Sequence, residues 1–234
     1  MSSATTFRID DLSFEVRYSP RRKHVELSVE REGGLVILAP EGTEARRLES
    51  AVRAKRFWLY TKMAEKESLR QTVPSKEYVS GEGFHYLGRS YRLLLVGKKQ
   101  NKPLKLEQGR FKLVRSEAEQ GREHFVRWYT EHARPWLAKR VDRWSHRVGA
   151  KPSAVEVREL GYHWGSCGKR GTLNFHWATI LLPASVVDYI VVHELVHLRH
   201  ANHTPEFWLS IERAMPDFEG RKRWLAENGS YVAI

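Results

Sequence analysis

The feature that most constrains this 234-residue chain is the sequence His-Glu-x-x-His, which begins at His193 and ends at His197. In an α-helix, residues four positions apart lie on one face, one turn above the other, so both histidines can direct a ring nitrogen at one metal ion. The surrounding sequence favours a helix, since Pro183 suits a first helical turn. Apolar residues also recur there at helical spacing, namely Val186, Val187, Ile190, Val191, Leu195 and Leu198. We therefore predict a helix that carries a metal site.

A catalytic zinc site has three protein ligands and an open fourth position for water, so a third ligand is needed. We predict His203, because Asn202 would end the helix in a left-handed conformation and leave His203 in a sharp turn. Thr204 and Pro205 would then begin the next helix. The alternatives for the third ligand are His200, Glu206, Glu212 and Glu219, of which Glu212 is the strongest.

Glu194 follows the first histidine directly and need not bind the metal. An ionised carboxylate in that position can accept a proton from the water in the open position. We therefore predict that Glu194 is the general base of a zinc-dependent hydrolysis. The alternative is that the two histidines merely share one face of an amphipathic helix.

Further motifs resemble one known family. They are Trp164-Gly165-Ser166-Cys167, Leu173-Asn174-Phe175-His176-Trp177, Leu182-Pro183, and the runs over residues 188–198 and 202–208. Together they resemble the YgjP-like, SprT-related zinc metallopeptidases, densely over about residues 158–228 and more weakly upstream. The resemblance implies a zincin-like fold and Glu194 as general base, with one zinc ion on His193, His197 and His203. It specifies no substrate, and we predict a peptide or protein substrate from the hydrolytic zinc motif itself. In some related enzymes the third ligand is a Glu on a following helix, which keeps Glu212 open.

The spacing of the three histidines equals that of the metzincins, but His200 stands where those enzymes place a glycine. This departure indicates a different class of zinc peptidase. Met215-Pro216 would match the metzincin Met-turn in position, and the alternative is that Met215 fills the core.

The rest of the chain predicts an α+β fold. A β-rich amino-terminal portion with one helix covers residues 1–115, and a zincin-like helical metallopeptidase domain covers residues 116–234. The predicted strands are residues 7–16, 24–29, 35–38, 86–96 and 104–114. One helix begins near Thr43 and carries Leu48, Val52, Phe57, Trp58 and Leu59. A long helix begins near Glu117, and Pro135 would kink or divide it.

In two segments before the metal-binding helix, apolar and polar residues alternate with a period of two. They carry Val155, Val157 and Leu160 in the first, and Leu173, Phe175 and Trp177 in the second. Residues 168–171 predict the turn between them, so the pair would form a small antiparallel sheet beside the active-site helix. An exposed edge there would hold an extended peptide by strand addition. The alternative is that the pair only covers the core.

Peptide hydrolysis develops negative charge on the carbonyl oxygen, which a hydrogen-bond donor can stabilise. Candidate donors are Tyr162, His163, His176, Arg199 and His200, and spacing favours none of them. Cys167, the only cysteine, is predicted to be a small buried residue rather than a nucleophile, because the zinc motif already accounts for hydrolysis.

The net charge of +12 makes nucleic acid an alternative partner. Basic clusters occur at Arg21-Arg22-Lys23, at Lys98, Lys99, Lys102 and Lys105, and at Arg221-Lys222-Arg223. Their dispersal favours a solvated basic surface. The alternative functions are a protease acting on DNA-bound proteins, as SprT-like proteases do, a nucleic-acid-binding module with structural zinc, and a zinc amidase.

The single cysteine excludes an intrachain disulfide and fits a reducing compartment. Residues 1–14 lack a secretory-signal pattern, and no run reaches the roughly 18 apolar residues of a membrane span. We therefore predict a cytoplasmic protein without a membrane partner. The sequence predicts no oligomeric state.

Overall fold

The computed structural model describes residues 5–29, 34–56, 59–60, 63, 76–97, 102–161 and 163–229. Packing divides the chain into two compact units, Met1–Thr72 and Val73–Ile234. The predicted α+β class is confirmed, because small sheets dominate the described residues up to 114, and helices dominate those that follow. The predicted domain boundary after residue 115 follows the change from predicted strands to predicted helices, and it remains a prediction.

The first unit contains the strands β1 (Thr5–Ile9), β2 (Leu12–Tyr18), β3 (Glu26–Val29) and β4 (Leu35–Ala39). They form one sheet in the order β1-β2-β4-β3, in which only β2 and β4 are parallel neighbours. The strand predicted over residues 7–16 is instead a hairpin. Its turn contains Asp10, whose φ of 51° is one that Asp tolerates better than most residues.

Helix α1 (Ala45–Ala54) packs in the core of the same unit. Its Leu48 and Val52, one turn apart, are both buried with Phe14 of β2. The helix therefore buries one apolar stripe, as its sequence predicted. Phe57 and Trp58 lie outside the described residues.

The second unit begins with a sheet of β5 (Gly83–Tyr86), β6 (Arg89–Val96), β7 (Leu104–Glu107) and β8 (Arg110–Val114). Their order is β5-β6-β8-β7, with β6 and β8 parallel. The strand predicted over residues 104–114 is a hairpin, because Gln108 and Gly109 take φ values of 50° and 72° and reverse the chain. Phe84 and Phe111 of this sheet are buried against the long helix that follows.

Helix α2 (Gly121–Val148) is the long helix, and it runs through Pro135 as one element. We predicted that Pro135 would kink the helix or divide it, and the second alternative, division, is wrong. Pro135 lies on the exposed side, where water can hydrogen-bond the carbonyl group that a proline ring leaves without an amide partner. The helix ends at Val148, and the φ of 70° at Gly149 lets the following N–H, that of Ala150, donate to the Ser145 carbonyl.

A three-stranded sheet lies beside the predicted metal-binding helix. It consists of β9 (Ala154–Arg158), β10 (Gly165–Cys167) and β11 (Thr172–His176), in the order β10-β11-β9. The turn over residues 168–171 joins β10 to β11, while β9 pairs with β11 in parallel. The predicted antiparallel pairing of β9 with β11 is thus wrong. After β9 the chain passes over the position of β11 and forms β10 on the far side, and it then turns back to form β11 between the two. With three residues, β10 is too short to show a period of two.

The chain ends with α3 (Ala184–Val196), α4 (Pro205–Ala214) and α5 (Phe218–Asn228). Helix α3 is buried on nearly every side, against α2 and against the last two helices. Within the described ranges, no helix is both long enough and apolar enough to cross a membrane.

An ion pair connects α2 to α3. Arg140 donates from Nε to Asp188 Oδ1 at 2.6 Å, and its Nη2 donates to Oδ2 of the same carboxylate. Asp188 is 5% exposed, so its charge is largely removed from water and depends chiefly on this partner, while Nη1 of Arg221 lies farther away, 4.0 Å from Oδ2. The pair therefore fixes the metal-binding helix against the long helix.

The substitution Arg140→Met should lower the free energy of unfolding by about 3 kcal/mol, because Asp188 would stay buried without its bidentate partner. Urea unfolding followed by circular dichroism measures this difference. Arg143→Met is the matched control, since Arg143 is exposed on the same helix and should change stability by less than about 0.5 kcal/mol. Equal losses in the two variants would contradict the prediction.

Candidate metal centre

The three predicted histidines come together at the carboxyl end of α3. Nε2 of His193 lies 3.2 Å from Nε2 of His197 and 3.0 Å from Nε2 of His203. The ligand atoms of all three lie within 4.8 Å of one another. Zinc–nitrogen bonds of about 2.0–2.1 Å in a tetrahedron place ligand nitrogens about 3.3 Å apart, so the observed spacing fits one ion.

The turn that brings His203 to the other two differs from the predicted turn. Helix α3 ends at Val196, and the chain tightens there through bonds from Leu198 N–H to Leu195 O and from Arg199 N–H to Val196 O. We predicted a left-handed conformation for Asn202, but its φ is not positive, so that prediction is wrong. The helix therefore ends earlier, by tightening, without a left-handed residue.

A backbone carbonyl fixes the orientation of His197. Nδ1 of His197 lies 3.0 Å from the carbonyl oxygen of His200. Because a carbonyl only accepts, Nδ1 must carry the hydrogen, and Nε2 keeps its lone pair for a metal. His200 thus supports the site through its backbone.

The alternative third ligands make other contacts. His200 Nε2 lies 3.2 Å from the Ser210 hydroxyl. Glu206 is fully exposed, and a hydrogen bond from Thr204 lowers its pKa. The metal-binding cluster found among the described residues contains none of the four alternatives. The assignment of His203 stays a prediction that this geometry favours.

All three rings favour the neutral form that binds metals. Burial, with smaller effects from His197 and His203, lowers the pKa of His193 to about 3. Burial also lowers the pKa values of His197 and His203. Nδ1 of His193 is buried and has no hydrogen-bond partner among the described residues. When Nε2 of a neutral imidazole binds a metal, Nδ1 carries the ring hydrogen, so this Nδ1–H would still need an acceptor.

Aromatic side chains surround the histidines. The Phe207 ring is fully buried, with its centroid 4.6–5.0 Å from those of the three imidazoles. The Trp208 ring stacks on His203 at 5.7 Å. These rings exclude water from one side of the site and strengthen electrostatic interactions there.

Glu194 lies between α3 and the edge strand β10. It is 6% exposed, and burial raises its pKa to about 8. A Cβ atom added to Gly165 would lie 2.7 Å from Glu194 Oε1, so the carboxylate is held against the backbone of the strand. A cation on the neighbouring histidines would lower this pKa by favouring the carboxylate. The role of Gly165 was not predicted, although a glycine within a strand often marks such a close approach.

Cys167 lies half-buried on the same strand. Burial, together with the charge of Glu194, raises the pKa of its thiol. The thiol is therefore protonated at neutral pH, which agrees with the prediction that it is no nucleophile. Met215 is 1% exposed and belongs to the hydrophobic core, as the core-filling alternative to a Met-turn requires.

The predicted oxyanion donors occupy different places. His176 contacts Glu159 at 2.6 Å through Nε2, and Arg199 donates to the Val148 carbonyl. His163 is exposed, and Tyr162 lies outside the described residues. Their proposed role remains a prediction.

The basic clusters are partly neutralised by ion pairs. Arg22 pairs with Glu26, Lys105 pairs with Glu107, and Arg221 pairs with Asp217. Lys98 and Lys99 lie outside the described residues. These pairs favour the solvated surface over nucleic-acid binding, which stays a prediction, as does the cytoplasmic location.

Comparison with known proteins identifies one family. The family described as YgjP-like, metallopeptidase domain, matches residues 23–228. Among solved structures, the metallopeptidase zymogen of Pyrococcus abyssi abylysin is 22% identical, with a TM-score of 0.36. That similarity covers 39% of this chain and 93% of the other. No curated protein matches the chain.

Elemental analysis of protein purified without chelator tests the three-histidine site. The unsubstituted chain should retain close to one zinc ion, and His203→Ala should lose most of it, because two histidines cannot complete a three-ligand site. His200→Ala is the control, since it keeps the backbone carbonyl that orients His197. Full zinc retention by His203→Ala would rule out His203 as the third ligand.

Proposed function

The chain belongs to the YgjP-like metallopeptidase family, and we propose that it is a zinc peptidase in which three histidines hold the metal and Glu194 moves the protons. The observation that carries this proposal is the convergence of three Nε2 atoms beside a buried carboxylate. Three neutral imidazoles with a nearby carboxylate suit zinc. The ligands are His193, His197 and His203.

When bound, zinc supplies a site that lowers the pKa of water from about 15.7 to about 7 and polarises the scissile carbonyl group. Glu194 takes a proton from the attacking water, whose oxygen forms a bond to the carbonyl carbon. As the carbon–nitrogen bond breaks, Glu194 returns that proton to the leaving amine. Burial alone would leave this carboxyl largely protonated at neutral pH, and a cation on the neighbouring histidines would lower its pKa toward the range in which it can both accept and release a proton.

The edge strand β10 supplies a surface for an extended peptide. It pairs with β11 on one side and is the outermost strand of its sheet. Gly165 of this strand lies against Glu194. A peptide that paired with β10 would satisfy its own backbone groups and lie beside the catalytic carboxylate.

The substitution Glu194→Gln should keep zinc and reduce peptide cleavage at least a hundredfold or so, because an amide cannot accept the water proton. Mass spectrometry of a mixed synthetic peptide pool measures cleavage, and elemental analysis measures zinc. Glu206→Gln, a change at a fully exposed carboxylate, is the control. Cleavage by Glu194→Gln at the unsubstituted rate would refute the role of Glu194.

The substitution Gly165→Ala should displace the Glu194 carboxylate and lower cleavage by about a hundredfold, while zinc and fold are kept. Gly168→Ala is the matched control, because its Cβ would come no nearer than 3.4 Å to Thr172 O. The same peptide pool serves for both variants. Unchanged cleavage by Gly165→Ala would show that the carboxylate position is not critical.

A further inference from the structure

A lysine lies beside the metal centre, and the proposed mechanism does not use it. Nζ of Lys222, on α5, lies 4.0 Å from the centroid of the Trp208 ring. Trp208 in turn stacks on His203, with 5.7 Å between ring centroids. Phe218, one turn before Lys222, also stacks on Trp208 at 6.0 Å. The ammonium group is therefore part of the aromatic wall that borders the three histidines.

Helix α5 is held in place by the residue next to Lys222. Arg221 donates from Nη1 to the carbonyl oxygen of Ser185 at 3.0 Å, at the start of α3. It also donates from Nε and Nη2 to Asp217. Because α3 carries two of the three histidines, this contact fixes where Lys222 stands relative to the metal centre.

The charge of Lys222 has no counter-ion among the residues that the structure describes. Arg221 is paired with Asp217, whereas no carboxylate among the described residues forms an ion pair with Lys222. The ammonium group lies next to the histidines through Trp208, because the Trp208 ring also contacts His193, with 6.2 Å between the ring centroids. A second cation beside a metal site is unfavourable unless an anion joins them.

We propose that Lys222 is a specificity-determining residue that binds a carboxylate of the peptide substrate close to the scissile bond. This inference rests on the proposed peptidase function. An ammonium group offers three donors, and hydrogen bonds between ionised partners are stronger than neutral ones. The carboxylate is either an Asp or Glu side chain or the free carboxyl terminus of the substrate.

The exposure of Lys222 favours binding over catalysis. The residue is exposed, with its ammonium group over the indole of Trp208. A hydrated and mobile ammonium group can recognise an incoming anion. Stabilisation of a transition state instead requires donors that are fixed in advance in a water-excluded site.

Peptide binding to the zinc-loaded Glu194→Gln protein tests the proposal without hydrolysis. The probes are fluorescently labelled ten-residue peptides in pairs that differ only by Glu or Gln near the centre, each with a free or an amidated carboxyl terminus. In one of the two kinds of pair, Glu against Gln or free against amidated terminus, fluorescence anisotropy should show that the peptide with the carboxylate binds about three- to tenfold more tightly. This difference in affinity should shrink at high salt. The Glu and Gln pairs report a side-chain carboxylate, and the free and amidated pairs report a terminal one.

Variants of the same protein assign the preference to one residue. Lys222→Met keeps the apolar stem on Trp208 and should remove the preference, whereas Lys222→Arg should retain it. Arg223→Met removes a neighbouring exposed charge and should retain it as well. Equal affinities within every peptide pair, a preference that survives Lys222→Met, or no binding of any peptide would each overturn the proposal.

Cleavage of the same peptides by the protein with Glu194 intact separates this inference from the proposed function. Lys222→Met should raise KM for the preferred peptides and leave kcat unchanged. An equal fall in kcat for all peptides would assign Lys222 to the chemical step and overturn a binding role. No cleavage by the unsubstituted protein would refute the peptidase proposal alone, since the binding preference is measured independently.

Discussion

The near-complete burial of α3 is the constraint on which the site depends. The helix carries two carboxylates into the interior, Asp188 and Glu194. A buried carboxylate must be paired or take up a proton. Arg140 pairs with Asp188, whereas no ion pair reaches Glu194 from the described residues, and burial raises its pKa to about 8. Two carboxylates on one helix therefore differ in role because their surroundings differ: one fixes the helix, and the other is suited to move protons.

The sequence predicts best what is local. The three histidines span eleven positions, so helical spacing and one short turn are enough to predict that His193, His197 and His203 meet. The long helix and the buried stripe of α1 were also predicted, since their apolar residues recur within a few turns. Even locally, the end of α3 was misplaced, because the bonds that tighten the chain after Val196 leave no mark in residue type.

Contacts between distant segments were not predictable in the same way. A period of two indicates a strand but not the direction of its partner, so the parallel pairing of β9 with β11 was missed. Alternation also continues across a tight turn, so the sequence predicts one strand where the structure has a hairpin that turns at Gln108. Gly165 lies 29 positions before Glu194 in the sequence, and nothing in the sequence ties that glycine to that carboxylate. The α+β class survives such errors because it depends only on element types.

Helix α3 ends at Val196, directly beside the histidines. The peptide dipoles of a helix sum to about half a negative elementary charge at its carboxyl end. This partial charge attracts a divalent cation before any ligand bond has formed, and it repels an approaching carboxylate. The ammonium group of Lys222, over the Trp208 ring, opposes that repulsion from α5. In the proposed peptidase, the helix end would thus favour the metal ion, and Lys222 would favour a carboxylate on the side of α5.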